Sequence, residues 1–213
     1  MPFDEAPNIG PLPASHNGFI TFASFNNIKK ITPEIVETWA KILKATDGSK
    51  LLLKGGMLNY DMVRESIQKI FQDFGIVSDR LDLRCWIARD EIPLKLYNSV
   101  DICLDTFPYN GVTTSFEALS MGVPVVTLKG DRHASRVGAS ILTELGHTEW
   151  IADTHLSYKE IAVKLVGDIT DLKEICSNLR SNLKNSSFGR PDEFVTKVED
   201  TYLRLYSKLE FEV

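Results

Sequence analysis

Short apolar runs alternate along this chain with longer stretches in which apolar residues recur every three or four positions. GFITFASF (18–25), SKLLLKG (49–55), LDLRCWI (81–87), VDICLDT (100–106), VPVVTLKG (123–130) and TEWIAD (148–153) read as six strands. Between them, EIVETWAKILKAT, MVRESIQKIFQDFG, IPLKLYNS, TSFEALSMG and ASRVGASILTELG carry helical spacing. Thr32-Pro33 supplies a cap and a first-turn proline for the first of these, and Asp47-Gly48 stops it. Three helical segments, near 157–168, 170–184 and 191–208, close the chain. VPVVTL and LLL are apolar on consecutive residues, as strands covered on both faces of a parallel sheet must be. The expected fold is therefore α/β, a doubly wound, mostly parallel Rossmann-like sheet with extra C-terminal helices.

Residues 1–17, MPFDEAPNIGPLPASHN, hold four prolines and no periodicity, the composition of an extended lead-in or linker; the compact part is expected over 18–213. At the other end, the segment 191–209 shows an apolar stripe at Phe194, Val198, Tyr202 and Leu205, which calls for a partner surface or is left exposed. With 213 residues and 43% hydrophobic content, one large domain with one well-buried core is expected. The net charge of −5, without a run of Lys or Arg, argues against nucleic acid or a membrane surface as partner. Cys85, Cys103 and Cys176 lie far apart with no Cys-x-x-Cys pair, which fits reduced thiols in a cytoplasm. No apolar run approaches the roughly 20 residues of a membrane-spanning helix, so a cytoplasmic chain is expected.

In an open parallel sheet, ligands collect beyond the carboxyl ends of the strands. The loops there are SFNNIKK, KGGMLNY, WIARDEI, DTFPYNGVTT and KGDRHASR. None contains the glycine pattern of a dinucleotide fold, and the chain has no Gly-x-x-x-x-Gly-Lys-Ser/Thr loop, which argues against an NAD enzyme and a P-loop NTPase. The chemistry points instead to DTFPYNGVTTSFEALSMGVPVV (105–126). Gly111 permits close backbone approach, and Val112, Thr113 and Thr114 open a helix whose unpaired N–H groups and positive dipole end favour a phosphate. Thr113 and Thr114 add hydroxyl donors, and Glu117, one turn on, can accept from sugar hydroxyls. The same residues admit a structural reading, because Thr114-x-x-Glu117 also fits a capping box. From these residues alone both readings stay open.

Three blocks together carry a resemblance: FASFNNIKKITPEIVETWAKIL, VDICLDTFPYNGVTTSFEALSMGVPVVTL and GDRHASRVGASILTELG. In this order and spacing they resemble the C-terminal half of the catalytic region of O-linked N-acetylglucosaminyltransferases, especially bacterial members fused to tetratricopeptide repeats. The resemblance runs from about residue 18 to the end. It implies the nucleotide-sugar-binding C-terminal lobe of a two-lobed GT-B glycosyltransferase. It also implies roles: Asn27 (glutamine in many relatives) and the diphosphate-binding Lys30 after the first strand, Thr113 and Thr114 on phosphate, Glu117 (aspartate in animal relatives) on the ribose, and the Ala88 backbone on uracil. Two positions depart from the family, Val112 where some relatives have histidine and Pro93 where animal members stack a histidine on the base.

The implied reaction is transfer of N-acetylglucosamine or another hexose from UDP to Ser/Thr hydroxyls of proteins. Lys30 and the helix start near Thr113 and Thr114 would stabilise the departing diphosphate without a metal or other cofactor. The implied partners are a UDP-sugar, a protein acceptor, an N-terminal catalytic lobe and tetratricopeptide repeats, with the lobe alone expected to be inactive. Rival readings are a non-catalytic UDP-sugar-binding or interaction module, and a GT-B enzyme acting on a different acceptor. His133 and Arg136, at another helix entrance, are further candidates that also admit purely structural roles. His16, His147 and His155 show no metal-ligand spacing, and Trp39, Trp86 and Trp150 read as core.

Overall fold

A computed structural model describes residues 6–85 and 93–209. Six strands form one parallel sheet: β1 (Thr21–Ser24), β2 (Lys50–Lys54), β3 (Leu81–Arg84), β4 (Ile102–Leu104), β5 (Val125–Leu128) and β6 (Ile151–Ala152), in the order β3-β2-β1-β4-β5-β6. This is the doubly wound order, and its reversal of direction lies between β1 and β4. The helices are α1 (Ala14–Asn17), α2 (Pro33–Ala45), α3 (Asp61–Asp73), α4 (Thr113–Ser120), α5 (Val137–Glu144), α6 (His155–Val166), α7 (Ile169–Asn185) and α8 (Pro191–Leu209). IPLKLYNS forms a 3-10 run over Pro93–Ser99. Among the described residues no helix is long and apolar enough to cross a membrane.

Strand alternation feeds two cores. Phe22, Leu51, Leu53, Ile102, Leu104 and Val126 face α2, α3 and α6, whereas Ala23, Leu52, Cys103 and Val125 face α4, α5 and α7. Both faces being covered explains why these strands are continuously apolar. Each fully buried aliphatic side chain contributes roughly 1.5–3 kcal/mol. In α2, the Thr32 hydroxyl caps Ile35 N at 3.4 Å, Pro33 opens the first turn, and Ile35, Val36, Trp39, Ile42 and Leu43 are buried along one face. Trp39 and Trp150 are core residues, as the pattern suggested, and Trp86 lies outside the described residues. An aromatic chain fastens the helices to the carboxyl end of β4: Trp39 Nε1 donates to Tyr158 Oη at 3.4 Å, and that phenol donates to Asp105 O at 2.8 Å.

The described part of the lead-in, residues 6–17, is packed against the lobe instead of running free. Leu12 is 5% exposed and belongs to the core. Asp101 accepts from Ala14 N (2.9 Å) and Thr21 N (2.8 Å), Asn98 accepts from Gly10 N (3.0 Å), and Arg180 donates to Pro7 O (2.7 Å). Prolines limit regular structure here to the four-residue α1, and side chains of the lobe bond the backbone at Pro7, Gly10 and Ala14. On α8, Phe194, Tyr202 and Leu205 of the expected apolar stripe are exposed and Val198 is half-buried, so most of the stripe faces solvent.

Candidate functional site

The loops that follow β1 and β4 leave the sheet on either side of the switch point. β4 ends at Leu104, and the next residue, Asp105, is buried. The chain coils around this carboxylate before it opens α4. Oδ1 accepts from Gly111 N (2.6 Å) and Thr106 N (2.8 Å), and Oδ2 accepts from Thr127 Oγ1 (2.8 Å). Burial pushes the Asp105 carboxyl up from its ordinary 3.8 to about 6, against the pull of those donors and of the Lys30 charge. Asn110 fastens the outer part of the loop: its Nδ2 donates to Thr106 O (2.9 Å) and its N–H to Ala134 O (2.9 Å).

On the β1 side, Ile28–Lys30 form a 3-10 turn capped by Asn27, whose Oδ1 accepts from Lys29 N at 3.0 Å. The turn aims Lys30 across the switch point. Its Nζ donates to Asn110 O (2.9 Å) and Asn26 Oδ1 (3.2 Å) and lies 4.2 Å from the centre of the Tyr109 ring. Burial lowers the Lys30 pKa, and Asp105 pulls the other way. Thr114 Oγ1 donates to the same Asn26 Oδ1 at 3.3 Å, so the lysine and the helix entrance meet at one acceptor.

The capping box does not form. Val112 is the N-cap of α4 and has no side chain to cap with, while the Glu117 carboxylate accepts from Tyr97 Oη at 3.1 Å. Thr113 is exposed and Thr114 half-buried on a first turn that no side chain caps. Thr114→Ala removes the bond to Asn26 but no cap, so it is expected to cost about 0.5–1 kcal/mol of stability together with UDP affinity, where loss of a mere cap would cost about 1 kcal/mol and leave UDP affinity unchanged; urea denaturation and UDP titration check this. Gly111 is required by space: a Cβ there would lie 2.5 Å from Thr114 Oγ1 and 3.0 Å from Asn26 Oδ1. The close approach is thus made by the protein's own side chains.

Of these groups, Asn26, Asn27, Thr114 and Glu117 line a cleft of about 700 Å³, together with Lys54, Gly55, Tyr60 and Pro93, a size suited to a small organic ligand. Lys54, at the end of β2, has its pKa lowered by burial and is offset by Glu117. Of the residues named from sequence, Asn27, Lys30, Gly111, Thr113, Thr114 and Glu117 belong to these two loops and the helix start. Ala88 lies outside the described residues. His133 and Arg136 are exposed on the loop after β5; Arg136 donates to Gly130 O (3.0 Å) and lines a separate depression with Lys129 and Asp153. Sequence reasoning missed Asn26, Asn110 and Lys54. The signal for Asn26 was its place beside Asn27 in a strand-to-helix loop, which does not reveal which asparagine turns inward.

A doubly wound parallel sheet with a cationic loop and an uncapped helix start at its switch point is the C-terminal lobe of the GT-B glycosyltransferase fold. An Anabaena protein solved with UDP and glucose shares this fold with a TM-score of 0.60 at 13% identity, over 88% of this chain and 51% of that one. The chain belongs to glycosyl transferase family 41, which it matches over residues 12–197. It is 38% identical, over 97% of its length, to a Petunia hybrida protein named probable UDP-N-acetylglucosamine–peptide N-acetylglucosaminyltransferase SPINDLY, of which it spans 22%. A mutant O-GlcNAc transferase from Thermobaculum terrenum superposes with a TM-score of 0.86 at 36% identity, over 96% of this chain and 39% of that one.

Proposed function

We propose that this chain is the UDP-sugar-binding lobe of a protein O-GlcNAc transferase, serving transfer of N-acetylglucosamine or another hexose from UDP to Ser/Thr hydroxyls. In this reading the diphosphate lies between Lys30 and the first turn of α4, and the ribose hydroxyls face Glu117. The observation that carries it is the meeting of Lys30 Nζ and Thr114 Oγ1 at Asn26 Oδ1, 3.2 and 3.3 Å away, at the switch point of a family 41 chain.

The acceptor hydroxyl attacks the anomeric carbon, the bond from that carbon to the phosphate oxygen breaks, its electron pair leaves with UDP, and the hydroxyl proton passes to the departing UDP. Negative charge grows on the diphosphate, where the Lys30 ammonium and the N–H groups of Thr113 and Thr114 stabilise it. These fixed charges do the work of a divalent cation, so the reaction is metal-independent in this reading. The acceptor side belongs to an N-terminal lobe, with tetratricopeptide repeats beyond it in a cytoplasmic protein, and the lobe alone binds nucleotide without turnover. Support for a further lobe is that the chain spans 39% of the Thermobaculum protein.

Calorimetric titration of the 213-residue chain with UDP, UDP-GlcNAc, UDP-glucose and GDP tests the reading. UDP and UDP-GlcNAc are expected to bind with the same affinity in EDTA as without it. Preference for GDP would overturn the base assignment, loss of binding in EDTA would overturn metal independence, and no binding of any nucleotide would overturn the whole reading.

A further inference from the structure

The two adjacent asparagines of the β1 loop have separate fates. Asn27 is exposed and caps its own turn. Asn26 is 6% exposed, and its amide is engaged at both ends. Oδ1 accepts from Lys30 Nζ (3.2 Å) and Thr114 Oγ1 (3.3 Å), while Nδ2 donates to Asp105 Oδ1 (3.4 Å). Its partners sit on three pieces of the chain: its own loop, the end of β4 and the first turn of α4. An ionised carboxylate only accepts and an ammonium only donates. The amide nitrogen must therefore face Asp105 and the oxygen must face Lys30 and Thr114. A flip would set donor against donor at Lys30 and acceptor against acceptor at Asp105, while the Thr114 hydroxyl can serve either end.

We infer that Asn26 is the positioning residue of the diphosphate cradle, its buried amide holding the Lys30 ammonium and the Thr114 hydroxyl around one point before any ligand arrives. A long lysine side chain is flexible in solution, and ordering it during folding removes that cost from binding. Asp105 acts through Asn26, since its carboxylate sets which end of the amide faces the cradle. The inference rests on the diphosphate reading of the cleft.

Affinities of the full chain for UDP and for uridine test it. Asn26→Ala is expected to weaken UDP about tenfold and to leave uridine within twofold, because the residue serves the phosphates only. In a Lys30→Ala background the same change is expected to cost about threefold or less, as only the Thr114 hydroxyl remains to be held. Asn26→Asp has the shape of asparagine but sets one carboxyl against Asp105, and the pair shares a proton at low pH. The charged and titratable groups around this spot are Lys30, Asp105, Cys103, Tyr97 and Tyr158, with Tyr109 beside Lys30 and Lys54 and Glu117 across the cleft; burial pushes the Cys103 thiol and the Tyr97 and Tyr158 phenols up, so these three stay neutral near pH 7. The UDP affinity of Asn26→Asp, taken as a ratio to the parent, is expected near one at pH 5.5 and about tenfold lower at pH 8. If the parent binds no UDP, the diphosphate reading falls and this inference with it. If the parent binds UDP, equal loss of uridine and UDP, a loss additive with Lys30→Ala, or parent-like binding by Asn26→Ala overturns the inference alone. Should Asn26→Ala fail to fold, a flat pH ratio for Asn26→Asp overturns it.

Discussion

Replacing Lys30 by alanine is expected to weaken UDP binding by about one to two powers of ten, the equivalent of the roughly 1.5–3 kcal/mol of a charge-assisted contact to phosphate. Lys30 is the residue that the β1 loop carries across the switch point, and its ammonium is held by Asn110 O and Asn26 Oδ1. Calorimetry at pH 7.5 measures the change. Uridine, which carries no phosphate, is expected to bind the variant as it binds the parent. The ammonium also offsets the buried charge of Asp105, so Lys30→Ala is expected to lose stability as well, more at pH 8 than at pH 5. UDP affinity equal to the parent's would remove Lys30 from the site.

The largest expected effect on folding belongs to Asp105. Asp105→Ala leaves the N–H groups of Gly111 and Thr106 and the Thr127 hydroxyl without their acceptor inside the protein. The expected loss is about 3–5 kcal/mol, with loss of UDP binding because the 105–111 loop then no longer presents α4. Asp105→Asn is expected to be far milder: the amide oxygen still accepts from Gly111 and Thr106, and the Thr127 hydroxyl can reverse to accept from the amide nitrogen.

The pH dependence separates the two substitutions further. The folded carboxyl, at about 6, binds its proton more tightly than the unfolded one at 3.8, so the folded chain holds more protons across that window. Stability from this group is fully present below 3.8 and is lost as pH rises through about 6. The whole loss is about 3 kcal/mol, with about half of it between pH 5 and 7.5. Urea denaturation at those two pH values is expected to show this slope in the parent and its disappearance in Asp105→Asn. An unchanged slope would mean that Asp105 is not the group that titrates.

The strands and most helices were legible in the sequence because their signals are local. Leu51, Leu52 and Leu53 are apolar in succession because both faces of the sheet are covered, and Thr32-Pro33 marks the start of α2 within two residues. The strand-to-helix loops and the phosphate-friendly helix start at Thr113 follow from that order of elements. Other features depended on contacts between residues far apart in the chain. Asn26 and Asn27 are chemically identical neighbours, and only a lysine, a threonine and an aspartate brought from three pieces of the chain select Asn26 for the cradle. Thr114 and Glu117 carry the spacing of a capping box, but the chain enters α4 two residues earlier than that box requires, with Val112 as N-cap, and Tyr97 takes the carboxylate from 20 positions away. The proline-rich lead-in reads as a linker until Asp101, Asn98 and Arg180 reach its backbone and Leu12 enters the core. Periodicity records what a residue's nearest neighbours along the chain require, whereas the direction of a loop side chain is set by whichever distant donors and acceptors folding brings against it.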